Sequence, residues 1–132
     1  MSCVWDSLLK GIREVAKKDG SVRPPKNIND LRDVLQATPE PIGVMWNGEE
    51  ITRKQIEEVV DAMRCVPIHH DGGEGYLVSC CDPLFISASF IYKINIIHTM
   101  NKHYTSNYSV PDASHTITFK SSTGHMTLSS VS

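Results

Sequence analysis

The chain has 132 residues, 40% of them hydrophobic and 21% charged, with a net charge of -2. This is the composition of an ordinary globular protein and excludes a disordered or fibrous one. It also excludes a nucleic-acid binder built on a basic surface, because phosphate contacts need clustered cations and the basic runs here are short, such as Lys17-Lys18 and Arg53-Lys54. One domain over residues 1–132 is expected from the length. No stretch approaches the roughly 20 apolar residues of a membrane span. The start, Met1 to Lys10, lacks the basic head and apolar run of a signal peptide, and the four cysteines are read as free thiols, so a cytoplasmic setting is expected.

In chain order, Val4, Leu8, Leu9, Ile12, Val15 and Ala16 form a stripe of helical spacing against polar Lys10, Arg13, Glu14 and Lys17, and the helix stops at Asp19-Gly20. Pro24-Pro25 impose an extended segment. Asn27 caps a second helix with Ile28, Leu31, Val34 and Leu35 inside. Asn47-Gly48 signals a hairpin within 42–51. Thr52 with Gln55 forms a capping box for a helix ending near Arg64, with Ile56, Val59, Val60 and Met63 on its inner face. Residues 65–79 read as a loop with a glycine-rich middle. Asp82-Pro83 then reads as a cap and first position for a buried helix to Lys93. Ile94 to His98 is a strand, the segment holding Tyr104 and Tyr108 is polar connection, and two strands close the chain around Gly124. Helices first and strands last predict an α+β fold, a helical N-terminal half packed on a small, mainly antiparallel C-terminal sheet.

Two residues carry candidate chemistry. Cys3 heads the first helix, where unpaired amides and the helix dipole favour a thiolate; its alternative is a small side chain packed beside Trp5. His125 follows Gly124 at the start of the last strand, a rigid place to present a base to a thiol distant in sequence; its alternative is a plain histidine on a strand edge. His69, His70, Asp71, Cys80 and Cys81 are possible zinc ligands, but paired spacing is absent and adjacent ligands diverge, so no metal and no cofactor is expected. Glu74 among glycines lacks the spacing and the lysine of a phosphate loop.

The order of these pieces resembles the ovarian-tumour (OTU) family of cysteine proteases. The motifs are Cys3-Val4-Trp5-Asp6-Ser7-Leu8-Leu9 at the helix start, Gly72-Gly73-Glu74 before the buried helix Pro83 to Phe90, the strand Tyr92 to His98, and Thr116 to Phe119 followed by Gly124-His125. The resemblance implies a papain-like OTU fold with Cys3 and His125 as catalytic residues. It also implies ubiquitin, a ubiquitin-like modifier or a polyprotein cleavage site as partner, the modifier's tail running between the Gly72-Gly73 loop and the loop before His125. Compact members of the family occur in viruses. The chain departs from the pattern where Met1-Ser2 stand in place of Asp-Gly-Asn, Met126 in place of an aromatic residue and Thr127 in place of an orienting Asp or Asn. A catalytically weak or inactive OTU-fold module that binds a protein partner is the alternative.

Overall fold

The computed structural model describes residues 3–37, 40–65, 73–101, 104–122 and 125–132, with the backbone alone for Cys3, Cys65 and residues 73–81. The first amphipathic stripe forms α1, Cys3–Lys18, and buries Val4, Trp5, Leu8, Leu9, Ile12 and Val15. Asn27 caps α2, Ile28–Gln36, by accepting the Asp30 amide at 2.8 Å. The hairpin forms as β1, Met45–Trp46, and β2, Glu49–Glu50, across Asn47 and Gly48 at φ 53° and 85°. Two left-handed residues in succession make the tight turn whose twist matches that of paired strands, and Asn-Gly is the pair that adopts it at least strain. In α3, Arg53–Cys65, both halves of the capping box are present. The Thr52 amide donates to Gln55 Oε1 at 2.8 Å, and the Gln55 amide to Thr52 Oγ1 at 3.2 Å.

The next helix departs from expectation. It begins at Gly73, ten residues before Pro83, so α4 is Gly73–Tyr92 and the expected loop over 65–79 is helical in its second half. Once the segment from Leu84 to Ser89 is buried, extending the helix backwards adds a hydrogen bond per residue without a new nucleus. Against that, Pro83 has no amide to donate and forfeits one bond. Asp82 is therefore inside the helix rather than its cap, and its carboxylate accepts a hydrogen bond from the Tyr108 hydroxyl.

Three strands follow as expected: β3, Ile94–Met100, and further along the chain β5, His115–Ser122, and β6, His125–Val131. Between them Tyr104–Ser109, read from sequence as polar connection, forms β4. The sheet has six strands among the described residues, in the order β2-β1-β4-β3-β5-β6. It is larger than expected because the hairpin from the helical half joins it through β1 and β4. It is mixed because β3 and β5 run parallel while the other pairings are antiparallel. The α+β class holds and the sheet is mainly antiparallel as expected, four of its five pairings being so; the correction is to its size.

Alternation along the strands turns Ile94, Ile96 and His98, Tyr108, Ile117 and Phe119, and Met126 to one face, where helices cover them. Phe85 of α4 is central there: it stacks on Phe119 at 5.3 Å and meets His98 and Tyr108 edge-on at 5.4 and 5.6 Å. A Cβ on Gly11 of α1 would lie 3.0 Å from Ile117 Cγ2, so a side chain there would make the isoleucine give way where the helix meets the sheet. Among the described residues no helix is long and apolar enough to cross a membrane.

Candidate active site

Cys3 is the first residue of α1 and His125 the first of β6. β6 is an edge strand, and α1 lies along it. Two hydrogen bonds define how. The Ser7 hydroxyl donates to the Met126 carbonyl at 3.1 Å, and Lys18 Nζ donates to the Val131 carbonyl at 3.1 Å. From Ser7 to Lys18 a helix rises about 16 Å, and from Met126 to Val131 a strand advances about 16 Å. Helix and strand thus run side by side in the same direction with matched lengths, and α1 covers the edge that β6 would otherwise leave open to pairing.

This register brings the leading ends of the two elements together. Cys3 stands one turn, about 6 Å, before Ser7 on the same helix face, and His125 stands one residue, about 3 Å, before Met126. Cys3, Ser7 and Gly11 follow one another at a spacing of four along that face. Gly11 rests on Ile117 and Phe119, and Ser7 is bound to Met126. The orientation of the Cys3 thiol lies outside the described side chains.

His125 is exposed, whereas Met126 next to it is buried. Strand alternation therefore puts the imidazole on the face of the sheet opposite to Met126, beside its cross-strand neighbour Ser122. There it borders a cleft of about 500 Å³ with Asn101, Lys120, Ser122 and Thr127. The described lining holds hydroxyls, an amide and a cation but no carboxylate. No protein-family model, curated protein or solved structure matches this chain.

A second histidine, with no role suggested by its sequence context, lies close by in the sheet. His98 is 1% exposed, and its Nε2 lies 2.8 Å from the Ser121 hydroxyl. Burial pushes its pKa down to about 4, so the ring is neutral at pH 7. A base this weak and enclosed suits a tie between β3 and β5 better than proton transfer. Period two from Ile94 and Ile96 marks His98 as inward-facing, but its partner on another strand has no sequence signal. The Asp82 carboxyl, half-buried, is raised by burial, partly opposed by the Tyr108 hydrogen bond.

Among the described residues no group of three His, Cys, Asp or Glu side chains is arranged to hold a metal. His69, His70 and Asp71, the side chains of Cys80 and Cys81, and Gly72 of the expected substrate channel lie outside the described part. So do Thr123 and Gly124, while Gly73 belongs to α4.

Proposed function

We propose that this protein is an OTU-like thiol hydrolase acting on isopeptide or peptide bonds at the tail of a ubiquitin-like modifier, with Cys3 as nucleophile and His125 as base. The observation that carries this reading is the pair of bonds Ser7 to Met126 and Lys18 to Val131, which sets the start of α1 level with the start of β6. The order of elements agrees with that of the family, from a cysteine-headed helix through a buried helix to a last strand headed by histidine.

In this mechanism His125 takes the thiol proton and the sulfur attacks the carbonyl carbon. The oxyanion forms against the unpaired first amides of α1, and removing one such donor costs about 10²–10³ in rate where it has been tested. His125 then returns the proton to the leaving amine as the C–N bond breaks, giving a thioester that water hydrolyses with the same imidazole as base.

A ubiquitin carrying a C-terminal propargyl amide tests this. We expect a covalent adduct at Cys3 in the full chain, abolished in Cys3→Ala and slowed by about 10²–10⁴ in His125→Ala. No adduct in a wild type whose circular dichroism is that of a folded protein overturns the reading. The second reading, a binding module without turnover, is favoured by the outward imidazole and by the lack of a carboxylate in its described cleft, where Thr127 offers only a hydroxyl. It predicts that ubiquitin-like or other protein partners bind equally to wild type and Cys3→Ala.

A further inference from the structure

We propose, resting on the thiol-hydrolase reading, that Ser7 is a positioning residue: by donating to the Met126 carbonyl, its hydroxyl holds the turn that carries Cys3 against the strand end that carries His125. Ser7 is 7% exposed and its bond spans 119 residues of sequence. A serine inside a helix ordinarily bonds the carbonyl one turn back, which here is that of Cys3. Ser7 turns instead to the carbonyl of the residue after His125. A single hydrogen bond thus joins the positions next to both reacting groups, one turn from the thiol and one residue from the imidazole.

The other fixed contacts of α1 do not share this role. Gly11 sets the depth of the helix against Ile117 and Phe119, and Lys18 fastens its far end in an exposed bond to Val131. Both act beyond the first turn of α1, where Val4 and Trp5 are buried in the core but make no bond among the described residues that sets the helix against the end of β6. The Ser7 hydroxyl makes the hydrogen bond that ties that turn to the leading end of β6. A thiolate–imidazolium pair forms only where the two groups stay within hydrogen-bond reach, so slack at this point raises the thiol pKa before it unfolds anything.

The test is the pH profile of Cys3 alkylation by iodoacetamide, followed peptide by peptide by mass spectrometry on the full chain, for wild type, Ser7→Ala, Ser7→Thr and Lys18→Ala. Wild type is expected to react with a midpoint well below the ordinary thiol value of about 8.5. Ser7→Ala moves the midpoint back toward that value and lowers the rate at pH 7 about tenfold; Ser7→Thr, which keeps the hydroxyl, restores it; Lys18→Ala stays within about twofold of wild type. A Ser7→Ala profile that matches wild type overturns the inference and leaves the hydrolase reading standing. An ordinary thiol profile in wild type, with no adduct to the ubiquitin probe, overturns the hydrolase reading before any variant is made. If Ser7→Ala does not fold, Ser7→Thr and Ser7→Val, alike in shape and different in the hydroxyl, give the same comparison.

Discussion

His98 shows how a single side chain acquires a stability role from its surroundings. Its ring is enclosed by Phe85 and bound to Ser121, and burial lowers its pKa to about 4 from an ordinary value near 6.5. The unfolded chain therefore takes up a proton more readily than the folded one. The stability this histidine contributes is complete above pH 6.5 and is lost as pH falls to about 4, by up to about 3 kcal/mol. Asp82 acts in the opposite sense, because a carboxyl raised by burial holds its proton to higher pH in the folded state. Urea unfolding of wild type and His98→Gln at pH 7 and pH 4.5 separates the two. The fall in stability between these pH values should be clearly smaller in His98→Gln, and equal falls would show that His98 does not titrate as stated. At this scale the local partners were legible from sequence: Asn27 with Asp30, and Thr52 with Gln55, lie three residues apart and need no tertiary structure to meet. The partners of His98, Asp82 and Ser7 are 23, 26 and 119 residues away, and nothing local announces them.

Among the elements, α1 depends most on one position. Glycine costs about 1 kcal/mol relative to alanine in a helix interior, yet Gly11 is where the helix meets Ile117 and Phe119 at contact distance. Gly11→Val forces the helix off the sheet or the isoleucine out of its rotamer. We expect a loss of about 1–3 kcal/mol in denaturant unfolding, together with slower probe labelling of Cys3; unchanged stability would mean that the helix–sheet spacing is not set here. The amphipathic stripe made α1 readable in full, and Asn47-Gly48 did the same for the hairpin. β4 was not readable, since only Tyr108 of its six residues is fully buried and no alternating apolar pattern marks it. The first half of α4 was read as a loop because glycines and Asp82-Pro83 are strong local punctuation. The helix continues through them because the segment after Pro83 is anchored in the core.

The whole molecule is organised around Phe85, whose ring touches the side chains of three strands at once, β3 through His98, β4 through Tyr108 and β5 through Phe119. Phe85→Ala should cost about 3–5 kcal/mol by equilibrium unfolding, with the near-ultraviolet dichroism of Tyr108 and its stacked neighbour Trp46 lost together; a cost below 1 kcal/mol would show that the sheet and α4 fold without this contact. Local chemistry in the sequence determined the helix caps, the tight turn, the buried stripes, the α+β class and the candidate residues Cys3 and His125, since these depend on neighbours a few positions apart. Only the tertiary structure decided that β3 pairs parallel with β5, that β4 and the hairpin complete one sheet, and that α1 lies along β6 with Ser7 bound to Met126. Those outcomes depend on which distant apolar faces bury one another, a choice that the whole chain makes and no short segment encodes.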